Sequence, residues 1–142
     1  MGYYVVGFIV GLILLALWIY SNRKPKEEIQ IIEIKYFGEA LVWLNLVNDY
    51  RLSIGLHQLT PIKKLDERAQ IVLATIPPVE HYYNGDGYEI VGGEHNTLTA
   101  LFRHYLTAGK GHKKIIERQD INYIGIGIKK TNNDYYNTTL FI

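Results

Sequence analysis

A chain of 142 residues has room for one domain of ordinary size and not for two. Hydrophobic residues make up 48% and charged residues 20%, close to globular averages, which excludes a wholly disordered chain. A formal charge of +1 argues against a nucleic-acid binder, and the absence of cysteine excludes a disulfide scaffold, a thiolate zinc site and a cysteine nucleophile.

From Tyr3 to Tyr20 no side chain is charged, and the run from Val5 to Leu17 is almost wholly apolar. As a helix this stretch extends roughly 27 Å at about 1.5 Å per residue, near the hydrocarbon thickness of a bilayer. Tyr3 and Tyr4 at one end, with Trp18 and Tyr20 at the other, lie where amphipathic rings prefer the two interfaces. The polar stretch Ser21 to Glu28 follows, with Pro25 as a helix stop. No Ala-x-Ala-like cleavage site follows, so the expectation is a retained anchor. Residues 1–21 then form the transmembrane anchor, touching the lipid bilayer through residues 3–20. Residues 22–38 form a polar linker or stalk, and residues 39–142 the folded domain. Arg23, Lys24 and Lys26 form a basic flank that, taken alone, keeps the remainder inside the cell.

Residues 29 to 37 read equally as a strand or a helical stalk. From Glu39 to about Ser53, Leu41, Leu44 and Val47 recur at three- and four-residue spacing, which predicts an amphipathic helix stopped by Gly55. A second helix is expected from Lys63 or Lys64 to Thr75, with Leu65, Ala69, Val72 and Leu73 inward and Pro77-Pro78 ending it. Residues 80–88 read as a loop. Gly92-Gly93-Glu94-His95-Asn96 follows, and Thr97 or Thr99 caps a helix reaching Thr107. The sequence Ala108-Gly109-Lys110-Gly111 breaks that helix, and a short helical turn runs from His112 to Glu117. In the tail Ile124, Ile126 and Ile128 alternate with small or polar residues, residues 131–134 turn the chain, and Tyr135 to Ile142 return as a partner strand. Helices first and a hairpin last predict an α+β fold with helices packed on an antiparallel sheet.

Six motifs in order carry a resemblance. The first helix holds Asn48-Asp49-Tyr50-Arg51, followed by Gly55-Leu56 and Leu59, and Leu65, Ala69 and Ala74 lie on the second. His81, Gly93-Glu94, Gly111-His112 with Ile115 and Ile116, and Ile124-Gly125-Ile126-Gly127 with its partner strand complete the set. Across residues 39 to 142 the chain resembles the CAP superfamily (cysteine-rich secretory proteins, antigen 5 and plant pathogenesis-related proteins), in its shorter, cysteine-free microbial form. The resemblance implies a three-layer α-β-α sandwich with an antiparallel sheet. It also implies a cleft where two histidines and two acids converge and, in some members, hold a divalent metal. The chain departs from the pattern at two places. His95 stands where the family has Asn, and no acidic residue occurs between Phe102 and Leu106.

His81, Glu94 and His112 are therefore the candidate site. Two neutral imidazoles and one carboxylate suit zinc, or without metal could hold a water whose proton Glu94 accepts. In the plainer alternative the histidines bond backbone carbonyls, while Glu94 caps the next helix or pairs with Lys113. His95 is the reserve ligand; His57 and His104 read as surface histidines, Trp43 as a packing residue, and Lys110, Lys113 and Lys114 as a basic patch. The only serines are Ser21 and Ser53, with no nucleophile elbow, which argues against serine catalysis. The main expectation is a membrane-anchored CAP-like domain at a cell or particle surface, binding a metal, lipid or peptide-like ligand. A structural subunit of a virion or envelope assembly, with homo-oligomer or envelope partners, is one alternative, and a hydrolase of peptide or cell-wall material is another.

Overall fold

The computed structural model describes residues 30–75, 86–108 and 110–142. The expected transmembrane anchor, its basic flank and His81 lie outside the described residues. Among those described, no helix is long and apolar enough to cross a membrane.

Helix α1 (Gly38–Ser53) ends as expected at Gly55, whose φ of 81° suits a residue without Cβ. Gly55 N–H donates to Leu52 O and Leu56 N–H to Arg51 O, satisfying two carbonyls of the last turn. Its buried face differs from the expected one. Trp43, Val47, Asn48 and Arg51 are buried, whereas Leu41 is 39% exposed. Trp43 and Arg51 are the larger groups, and their shared stripe sets the helix rotation.

The other elements are β1 (Thr60–Pro61), α2 (Lys63–Thr75), β2 (Tyr88–His95), α3 (Leu98–Thr107), α4 (Lys110–Ile116), β3 (Tyr123–Thr131) and β4 (Asp134–Phe141). Thr97 caps α3, its Oγ1 accepting from Ala100 N–H at 3.1 Å. Helix α4 begins at Lys110 and runs through Gly111, where a break was expected. The strands form one sheet in the order β1-β3-β4-β2. The expected hairpin is β3 with β4, in register from Ile124↔Phe141 to Thr131↔Asp134. The sheet is mixed rather than antiparallel, because β1 pairs parallel to β3 at Thr60↔Tyr123 and Pro61↔Ile124. Strand β2, read from sequence partly as loop, pairs antiparallel with β4 and buries Ile90 and Val91.

Alternation along β3 and β4 separates two layers. Ile124, Ile126 and Phe141 join the main core with Trp43, Val47, Leu101, Phe102, Tyr105 and Ile116, under α1, α3 and α4. On the opposite face α2 packs Leu65 and Ala69 against Leu140. Gly125 and Gly127 face that helix because its backbone lies on them. A Cβ on Gly125 would collide with the Leu65 carbonyl. The result is an α-β-α sandwich.

Polar groups inside it are paired in series. Trp43 Nε1–H donates to Thr139 Oγ1 at 2.9 Å, Thr139 Oγ1–H to Asn137 Oδ1 at 2.8 Å, and Asn137 Nδ2–H to Gly127 O at 3.1 Å. Asn137 is fully buried, so the Asn137-Thr138-Thr139 triplet presents no surface for a glycan in the folded state.

Residues 30–36 are neither helical nor a full strand. They form an extended strap beside β1, bonded through Ile34 N–H to Pro61 O at 3.1 Å and Lys63 N–H to Ile32 O at 2.8 Å. Beyond the reach of β1, the outer edge of β3 is covered by side chains. Ile126 N–H donates to Tyr36 Oη, Tyr36 O–H donates to Asp66 Oδ1, and Gln70 Nε2–H donates to Ile126 O. Burial, reinforced by the Asp66 carboxylate, pushes the Tyr36 phenol well above its ordinary value.

Candidate functional site

The Asn-x-x-Arg motif is a structural clasp. Asn48 Nδ2–H donates to Leu59 O at 3.1 Å, and its Oδ1 accepts from Leu59 N–H at 2.8 Å. Arg51 is fully buried and donates to three carbonyls, His57 O at 2.9 Å, Ile116 O at 2.6 Å and Arg118 O at 2.9 Å. It thereby ties the end of α1 to the end of α4, the helix that carries His112. The His57 ring contributes to the same tie, its Nε2 lying 2.8 Å from Ile121 O.

Glu94 sits on a β-bulge. Gly92 pairs with Asn137 and His95 with Tyr135, so Gly93 and Glu94 together oppose Tyr136. The Tyr136 ring occupies the space a Cβ on Gly93 would need. Glu94 takes φ 64°, a left-handed conformation that costs a residue with a side chain roughly 1–2 kcal/mol. Its carboxylate is exposed. Bulges of this kind redirect a side chain at the rim of a sheet. The plainer duties suggested for Glu94 fall to other residues, since Thr97 caps α3 and Lys113 lies 3.7 Å from Glu117.

His112 is half-buried on α4, its ring 4.6 Å from that of Tyr105 between centroids. Tyr105 is fully buried on α3, and its hydroxyl has no hydrogen-bond partner among the described residues. Burial pushes this phenol far up, so it stays protonated. Gly92 of β2 lies against the Tyr105 hydroxyl, and a Cβ there would fall 2.5 Å from it. Tyr105 thus stands between the helix bearing His112 and the strand bearing Glu94, with an unsatisfied polar atom at the junction.

Of the sequence-derived trio, Glu94 and His112 are on elements that meet around Tyr105, while His81 is outside the described residues. Among the described residues no group of three His, Asp or Glu side chains is arranged to hold a metal ion. A zinc site of this composition therefore depends on His81. Sequence reading passes over two contributors. Tyr105 gives no polar signal amid an apolar helix, and His104, exposed as expected, also holds its ring 4.9 Å from that of His95 with the planes tilted by 45°. An open groove of about 330 Å³ lined by Gln70, Leu73, Ala74, Ile128 and Lys129 is on the α2 side of the molecule and contains none of these residues.

The layered sandwich has a CAP-like fold. Among solved structures, the chain is similar to an outer surface protein from Borrelia burgdorferi, with a TM-score of 0.63 and 18% identity over 79% of this chain and 97% of that one. It is similar also to MpPR-1i (TM-score 0.56, 17% identity, 75% of this chain and 90% of that one) and to hookworm platelet inhibitor (TM-score 0.56, 8% identity, 79% and 74%). No protein-family model and no curated protein sequence matches it.

Proposed function

We propose that the chain is a membrane-anchored CAP-like domain at the cell or particle surface, whose cleft binds a metal, lipid or peptide-like ligand. The observation that carries the cleft is the bulge at Gly93-Glu94. Strained backbone is retained there although glycine would relieve it, which is expected where a carboxylate must be aimed. The unpaired Tyr105 hydroxyl beside His112 supports the same location. In this reading His81, Glu94 and His112 line the cleft, and a bound zinc ion would take its two nitrogen donors and one oxygen from them. Zinc would supply charge to hold an anionic ligand group. Because no acidic residue occurs between Phe102 and Leu106 to relay a proton, binding is favoured over hydrolysis.

The surface placement draws on the uncharged run from Tyr3 to Tyr20 and on the Borrelia protein of the same fold, which is described as an outer surface protein. Two measurements test the proposal. Protease added to intact cells or particles should digest residues 30–142, and a fully protected domain would overturn the surface placement. Hydrogen exchange on the full-length chain should show zinc protecting 110–116, with the effect lost in Glu94→Gln. Protection that persists in Glu94→Gln removes the cleft.

A further inference from the structure

The bulge does more than expose Glu94. Gly92 and His95 are three residues apart, so on a regular strand they would point to opposite faces of the sheet. The extra residue re-phases the strand. Gly92 pairs with Asn137 and His95 with Tyr135, and paired residues share a face. Both therefore lie on the side of α1, α3 and α4, where Gly92 meets Tyr105 and His95 meets His104 of the same helix.

The geometry points to a second, separate metal site formed by His95 and His104, for a divalent cation that prefers imidazole, such as zinc, copper(II) or nickel. Their ring centroids are 4.9 Å apart and the planes are tilted by 45°. With a metal–nitrogen bond of about 2.0–2.1 Å, each ring centroid is about 3.2 Å from the ion. Two imidazoles on one tetrahedral ion are then about 5.2 Å apart. The observed centroid spacing of 4.9 Å is within about 0.3 Å of this. Among the described residues no side chain or backbone group hydrogen-bonds either ring. His104 is exposed and His95 half-buried, so an ion reaches them from solvent without opening the core. Two protein ligands leave two tetrahedral positions for water, or for a carboxylate or phosphate of an incoming partner.

The site uses none of His81, Glu94 and His112; His95, the reserve ligand suggested for that cleft, is assigned here to the pair with His104 instead. The test is copper(II) and zinc binding to the full-length chain in mild detergent. Electron paramagnetic resonance of the copper form should count two imidazole nitrogens. Zinc affinity, read by competition with a chromogenic chelator, should fall by at least about 10²-fold in His104→Gln and in His95→Gln, because a chelate loses its second arm. In the His112→Ala background, where the cleft lacks a nitrogen donor, the two-imidazole copper signal and the same loss on His104→Gln should both persist. Undiminished affinity in His104→Gln, with the far-UV spectrum retained, overturns the site. Loss in His112→Ala but not in His104→Gln overturns it too, and assigns the ion to the cleft instead.

Discussion

Replacing Arg51 with methionine should be among the most damaging single changes in the domain. Arg51 is fully buried and its guanidinium serves three carbonyls in two segments, His57 in one and Ile116 and Arg118 in the other. Methionine fills much of the volume but leaves three acceptors without a donor, and each unsatisfied buried group costs about 1–3 kcal/mol. Relief from burying a charge offsets part of this, since burial already holds the Arg51 guanidinium below its ordinary value. A net loss of about 3–5 kcal/mol follows, against a typical domain stability of about 5–15 kcal/mol. For a domain of about 100 residues the melting temperature should fall by roughly 15–30 °C. Guanidinium titration of the full-length chain in mild detergent, followed by far-UV circular dichroism, measures the loss. Arg51→Lys keeps the charge without the planar fork, and should recover only a minor part. A loss below about 1 kcal/mol in Arg51→Met would refute the reasoning, because the three carbonyls would then have other partners.

Gly125→Ala forces a methyl into the α2 backbone at Leu65 and should cost at least about 2 kcal/mol in the same titration. Glu94→Gly should raise stability by up to about 1 kcal/mol, because it relieves the left-handed conformation of an exposed residue; a loss would show that the carboxylate contributes to the fold. Burial, then the 2.5 Å bond to Glu117, pushes the Tyr50 phenol up from 10.0 to about 12. The folded value lies above the unfolded one, so the stabilisation is complete below pH 10 and lost as pH rises through 12. Denaturation midpoints should therefore fall between about pH 10 and 12, and less steeply in Tyr50→Phe.

The first two helices of the domain and the terminal hairpin are legible because their signals are local. Isoleucine alternation at 124, 126 and 128, and the breakers Gly55 and Pro77-Pro78, need no tertiary information. Strand β2 is not, because glycines at 92 and 93 read as loop, whereas they are required by the Tyr105 and Tyr136 rings that lie against them. The rotation of α1 escapes periodicity because it treats Leu41 and Trp43 as equals, and packing favours the larger ring. Two-residue β1 carries no sequence pattern of its own and exists only through its pairing with β3. Asn48 and Arg51 stand out as a motif, but their work is to hold carbonyls rather than a ligand. The pairing of His95 with His104 depends on the one-residue shift at the bulge, which no spacing rule reveals.

The strap has a consequence for how the domain presents itself. The chain enters along the β1 edge, while Glu94 and His95 belong to β2, the strand at the opposite margin. Three inter-strand steps of about 4.8 Å separate these margins, about 14 Å in all. A tether on the N-terminal side of Gln30 would therefore join the domain at the flank farthest from Glu94 and His95, and would leave those side chains clear of it.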